Sequence, residues 1–173
     1  MSSAGIIQSY GLFWRTEDVF WQTFKKRELL GVPRGARTSQ PTNFSEQVGI
    51  YVLYEGHRMI YVGQTGAGQN RLFQRLRTHT RDVYADRWDH FSWFGLRRPI
   101  RNGGLSSERM RAVSSIAKAL DHMEAVLIAA AEPSLNKQGG RFGRNVRRFI
   151  QVRDERLGPT DSEMLRDLWD QSR

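Results

Sequence analysis

Five side chains sit where their types and spacing could do chemistry together. Tyr51 and Tyr61 fall in two strand-favouring runs joined by a turn, so both rings can reach one face of the pair. Arg75 and His79 are four residues apart in a helical run and so share one helix face. Glu124 stands in the apolar stretch Met123-Glu124-Ala125-Val126-Leu127, where a carboxylate seldom goes unpaired and so marks a candidate site. Further on, Lys137, Arg141, Arg144, Arg147 and Arg148, with Arg153 and Arg156 beyond them, make the densest local positive field. The chain has no cysteine, which excludes thiolate nucleophiles, disulfides and cysteine zinc sites, so any metal must sit on oxygen or histidine. The 27 Lys and Arg against 18 Asp and Glu give a net charge of +9, which favours a polyanionic partner. Nucleic acid leads and an anionic membrane surface comes second.

The elements that must position these side chains follow from periodicity and from Gly and Pro. At 173 residues the chain is one ordinary domain, or one with short extensions. In residues 1–43, the spacing of Tyr10, Phe13, Trp14, Phe20, Trp21 and Phe24 predicts a helix, with Thr16 capping Glu17 onward. That aromatic helix would cover the core, or offer a surface to a partner protein or a second copy. Residues 31–41 are rich in breakers and read as a linker. From Val48, alternation through Tyr54, a turn at Glu55-Gly56-His57-Arg58 and the run Met59-Ile60-Tyr61-Val62 predict a β-hairpin. A glycine-rich exit over 63–69 leads to a helix over 70–81, and the aromatic run 87–96 suits a third strand beside the hairpin. Residues 107–131 read as a long helix with Val113, Ile116, Ala117, Leu120, Met123, Leu127 and Ile128 on a buried stripe, stopped at Glu132-Pro133. Last, Thr160-Asp161-Ser162-Glu163 is a capping box opening an amphipathic helix through Met164, Leu165, Leu168 and Trp169, expected to pack on the domain. The longest apolar run, residues 125–131, is far short of the roughly 20 residues of a membrane span. With no secretory pattern at Met1-Ser2-Ser3-Ala4-Gly5, the expectation is a soluble, cytoplasmic protein.

Gly49-Ile50-Tyr51, followed after nine residues by Tyr61-Val62-Gly63, resembles the signature of the GIY-YIG nuclease superfamily. Arg75 with His79 on the next helix, Glu124 on a later one, then Pro133 and Asn136 match further family elements in the same order. The resemblance covers roughly residues 48–137. It implies an α+β fold, a small three-stranded antiparallel sheet flanked by helices, here with an N-terminal helical extension (1–43), the nuclease-like domain (44–140) and a basic segment with a C-terminal helix (141–173). It implies an endonuclease, a hydrolase of DNA phosphodiesters, with RNA also open. One Mg²⁺ or Mn²⁺ would be held by Glu124, since such hard ions accept few protein oxygens and keep their waters. Arg75 would clamp the scissile phosphate, a motif tyrosine would take the proton of the attacking water, and His79 would polarise that tyrosine or touch the phosphate. Asn136 would order the Glu124 region. Which of Tyr51 and Tyr61 is the base stays open. Arg71 competes with Arg75 at a shorter spacing from Gly63, but only Arg75 has His79 one turn on; residues 66–69 are then a loop insertion.

Each residue also has a plainer reading. Tyrosines in strands are usually half-buried packing groups, histidines such as His57, His90 and His122 are usually surface or capping groups, and Gly49 and Gly63 are structural. Arg71, Lys137, Arg141, Arg144, Arg147 and Arg148 are candidate nucleic-acid contacts, or else a solvated face. The alternative to a nuclease is a nucleic-acid-binding module on the same basic surface that does not cut.

Overall fold

A strand whose odd and even residues are both apolar must be covered on both sides. Gly49–Glu55, with Tyr51, Val52, Leu53 and Tyr54 all buried, is such a strand, and the fold is arranged around it. The computed structural model describes residues 6–37, 39–66, 70–107, 116–131, 142 and 145–171. Its strands are β1 (Ser9–Arg15), β2 (Leu30–Pro33), β3 (Thr42–Asn43), β4 (Gly49–Glu55), β5 (Arg58–Gln64), β6 (His90–Gly95) and β7 (Arg147–Val152). Its helices are α1 (Leu72–His79), α2 (Ile116–Ala131) and α3 (Asp161–Gln171).

The hairpin forms as its alternation and turn predict. β4 pairs antiparallel with β5 on one side and with β6 on the other. The sheet does not stop at three strands, however. Its order is β3-β2-β7-β1-β6-β4-β5, with β1 and β7 parallel and every other pair antiparallel, so among the described residues the fold is α+β, a seven-stranded mixed sheet with three helices. The expected three-stranded sheet with an N-terminal helical extension is corrected by this arrangement.

The missing helix has a local cause. β1 carries a bulge between Gly11 and Trp14, with Phe13 at φ 51 and its N–H donated to Ser92 Oγ at 3.0 Å. A bulge adds one residue and breaks the period of two, so Tyr10, Phe13 and Trp14 acquire helix-like spacing while lying in a strand. Beyond it, only a short 3₁₀ turn (Thr16–Asp18) forms. The breaker-rich segment is likewise partly strand: Gly31, Val32 and Pro33 pair with Gln151, Ile150 and Phe149. Gly31 is needed there because a Cβ would come within 2.8 Å of the Trp14 ring.

Each face of the sheet has its own core. On one, Trp14, Phe44, Tyr51, Leu53, Phe91, Trp93 and Phe149 pack with Leu72, Phe73 and Leu76 of α1. On the other, Val52, Tyr54 and Phe94 pack with Ala125, Ala129 and Ala130 of α2, and the Tyr54 hydroxyl donates to the Ala130 carbonyl at 2.7 Å. The alanine side of α2 therefore meets the sheet, letting the helix approach closely, while Met123 and Leu127 of the expected buried stripe are each 62% exposed. α3 is opened by its capping box, Thr160 N–H donating to Glu163 Oε2 at 2.7 Å and Glu163 N–H to Thr160 Oγ1 at 3.3 Å. It does not pack as expected: Met164, Leu165, Leu168 and Trp169 are all exposed. No helix among the described residues is long and apolar enough to cross a membrane.

Candidate active site

Strand register brings the two tyrosines together. Tyr51 lies opposite Gly63 and Leu53 opposite Tyr61, so both rings rise from one face and their centroids are 6.0 Å apart. The Tyr51 ring lies over Gly63, where a Cβ would sit 2.3 Å from the phenol oxygen. Gly49 is fixed by backbone instead: at φ 152, its Cβ would stand 2.0 Å from the Phe94 carbonyl oxygen. Both motif glycines are thus structural, and Gly63 makes room for the site itself.

α1 supplies the other partners. Its first N–H groups are tied to the preceding loop, Leu72 N–H donating to the Gln47 carbonyl at 3.1 Å and Phe73 N–H to the Ser45 carbonyl at 3.0 Å. This anchors the helix so that Arg75 and His79, one turn apart, face the hairpin. The Arg75 guanidinium faces the Tyr51 and Tyr61 hydroxyls, and its Nε is buried without a hydrogen-bond partner among the described residues. Arg71, the competing arginine, stands at the N-cap of α1, with Nη1 3.5 Å from the Asn70 carbonyl.

His79 is buried at the C-terminal end of α1, its ring 4.8 Å from that of Tyr61. Its Nε2 is 2.8 Å from the Tyr51 hydroxyl and its Nδ1 is 2.7 Å from Asp82 Oδ2. An ionised carboxylate can only accept, so Nδ1 carries the proton and Nε2 of the neutral ring accepts from Tyr51. Asp82 is held in turn by the Tyr84 N–H, which donates to Oδ1 at 2.8 Å, and Trp88 Nε1 donates to the His79 carbonyl at 3.1 Å. Sequence reasoning missed Asp82. Its signal was only a carboxylate three residues past a histidine, beyond the end of the helix.

The electrostatics of Tyr51 follow from burial. Loss of solvent pushes its pKa up to about 12; the Arg75 charge pulls it down and the neighbouring Tyr61 hydroxyl adds to the rise. The Arg75 pKa is raised, mainly by the Tyr51 phenol. Tyr51 is fully buried whereas Tyr61 is half-buried, so a solvent molecule meets the cluster at Tyr61.

The remaining expected residues are placed differently. Glu124 lies on α2, which packs against the face opposite the tyrosines; its carboxylate is outside the described residues. Asn136, Lys137, Arg141 and Arg144 are outside them too. A hard divalent ion suits one glutamate by ligand type, but among the described residues no group of three His, Asp or Glu side chains could hold a metal. The described residues around Tyr51 and Arg75 do not by themselves make a metal centre. Arg147 and Arg148, adjacent in β7, point to opposite faces: the Arg147 row contains Ser9, Gly95 and Gly49, on the tyrosine side, and Arg148 lies opposite Tyr10. No family model, curated protein or solved structure matches this chain.

Proposed function

We propose that this protein is a GIY-YIG-type endonuclease that hydrolyses DNA phosphodiesters, with proton removal running inward from Tyr61 through Tyr51 to His79. The observation that carries this reading is the run of contacts from Tyr51 to His79 to Asp82, at 2.8 and 2.7 Å, under the Arg75 guanidinium.

A tyrosine can deprotonate water either as a preformed phenolate or by passing its own proton on as it receives one. With the Tyr51 pKa at about 12, the phenolate at pH 7 costs about 7 kcal/mol. That cost disfavours the first route at Tyr51. In the second, water gives a proton to the Tyr61 oxygen, Tyr61 gives its own to Tyr51, and Tyr51 gives its own to His79 Nε2. Asp82, already bound to Nδ1, stabilises the imidazolium so formed. The water oxygen bonds to phosphorus, the bond from phosphorus to the 3′ oxygen breaks, and the departing oxygen takes a proton from solvent. Arg75 holds the phosphate oxygens by charge-assisted hydrogen bonds. The resemblance also brings in Mg²⁺ or Mn²⁺ on Glu124, but α2 packs on the sheet face opposite the tyrosines, so these steps do not run through that ion.

The test is nicking of supercoiled plasmid by the purified protein. Cutting is expected only with added Mg²⁺ or Mn²⁺; Tyr61→Phe and His79→Ala should each lower its rate about 10²- to 10⁴-fold while sparing DNA binding, and loss of cutting in Glu124→Ala with DNA binding spared would bring α2 into the site from across the sheet. Undiminished cutting by Tyr61→Phe removes the relay. A wild-type protein that binds DNA and never cuts it is the non-cutting binding module instead.

A further inference from the structure

Away from the tyrosines, a cleft of about 670 Å³ opens between the start of β7 and the loop after β6. Arg98, Arg101 and Arg147 line it together with Asn145, Gln40 and Thr42, and among the described residues no Asp or Glu does. Three exposed guanidinium groups converge there with no ion pair among the described residues. By contrast, Arg58, Arg153 and Arg156 elsewhere each have a carboxylate.

The loop carrying Arg98 and Arg101 is braced. Pro99 bridges to Leu105, Ile100 N–H donates to the Gly104 carbonyl at 3.0 Å, and Asn43 N–H donates to the Gly103 carbonyl at 2.9 Å. Arg97 pins its base, Nε donating to the Ser106 carbonyl and Nη1 to the Glu46 carbonyl, both at 2.7 Å. Such a loop offers its two arginines with little ordering cost on binding.

Register ties the cleft to the candidate active site. Tyr51, Trp93, Gly11 and Phe149 form one row across β4, β6, β1 and β7, and Arg147 precedes Phe149 by two residues on the same face. At about 4.8 Å per strand, β4 and β7 are about 14 Å apart and β5 about 5 Å further. With a rise of about 3.4 Å per nucleotide along a duplex, the cleft meets backbone about four to six nucleotides from a phosphate held at Tyr61 and Arg75.

We propose that this cleft holds the phosphodiester backbone of the DNA flanking the scissile phosphate, with Arg98, Arg101 and Arg147 as its phosphate contacts. The inference rests on the nuclease reading for its register, but binding can be measured without cleavage. Anisotropy of a labelled short duplex, titrated in EDTA over a range of salt, compares the wild type with the Arg98→Gln, Arg101→Gln, Arg147→Gln triple variant. A second triple, Arg58→Gln, Arg87→Gln, Arg166→Gln, removes the same charge from elsewhere on the surface. The cleft triple should weaken binding and flatten the plot of log K against log salt by about 0.9 per lost contact, near 3 in all, and the second triple by less than about one. Equal flattening by both triples, or an unchanged slope in the cleft triple, overturns the proposal. Saturable binding of inorganic phosphate at the cleft with no duplex binding makes it a small-anion site, which overturns it too. Plasmid cutting separates the two readings: loss of cleft binding in a protein that never cuts retains the cleft and removes the nuclease. Unchanged duplex binding by the cleft triple, with cutting still lost in Tyr61→Phe, does the reverse.

Discussion

Burial decides what Tyr51 can do. Fully enclosed beside Tyr61 and His79, it is a poor anion, and this depth is what separates it from the half-exposed Tyr61. Sequence left the two tyrosines interchangeable, because alternation gives the face of a residue and not its depth. The same burial has a thermodynamic consequence. A phenol with a folded pKa of about 12, against 10.0 unfolded, adds stability that is complete below pH 10 and is lost as pH rises through 12. Between pH 9 and pH 12 the loss is about 2 kcal/mol, since the folded phenol is still half protonated at pH 12. Urea unfolding at pH 9 and at pH 12 should show Tyr51→Phe losing less stability than the wild type by about that amount. Equal losses would mean that the phenol ionises as readily in the fold as outside it.

At the scale of elements, the hairpin, α1 and the third strand were legible because each is specified locally: period two, a two-residue turn at Gly56 and His57, and a helical period through Leu72, Leu76 and His79. The candidate site was legible to the same extent, since Tyr51, Tyr61, Arg75 and His79 are carried by those elements. What was not legible depends on contacts far apart in sequence. β7 enters the sheet between β1 and β2, and the bulge in β1 disguised a strand as a helix. α2 turned its alanines inward because the sheet surface it meets is already filled by Val52, Tyr54 and Phe94. The hairpin also carries the sharpest test of placement. In Gly63→Ala, the new Cβ would meet the Tyr51 ring at 2.3 Å, so the ring must swing away from His79 while the backbone of β5, at an ordinary φ, can stay. On the proposed nuclease reading, cutting should fall about 10²-fold or more, with near-wild-type circular dichroism and melting lowered by only a few degrees. A Gly63→Ala protein that cuts normally would show that the Tyr51 to His79 contact is dispensable.

Across the whole molecule, the arginines divide into those that face solvent and those that close the fold. The C-terminal basic segment read as one field contains both kinds. Arg153 donates to Asp18 at 2.8 Å, and Arg156 grips Asp154 through Nε at 2.9 Å and Nη2 at 2.6 Å, reaches Glu28 at 3.3 Å and donates to the Lys26 carbonyl at 2.8 Å. These contacts clasp the segment after β7 to the segment between β1 and β2, whose residues are distant in sequence. Asp154 is buried, and its hydrogen bonds from Arg156 hold its carboxyl below the usual carboxylate range. Removing the arginine would leave an enclosed charge without its fork–fork partner, which costs more than losing an exposed pair. Arg156→Ala should therefore lower stability by about 2–3 kcal/mol and Tm by about 5–10 °C at pH 7. Because the folded pKa of Asp154 is depressed, this contribution is present above its unfolded value of 3.8 and is lost as pH falls through the folded one. The gap in unfolding free energy between variant and wild type should accordingly narrow in acid, and calorimetry at pH 7 and pH 3 reads it directly. A gap that is absent at pH 7 would make the clasp an ordinary surface ion pair, and the division of the arginines into two kinds would fail at this end of the chain.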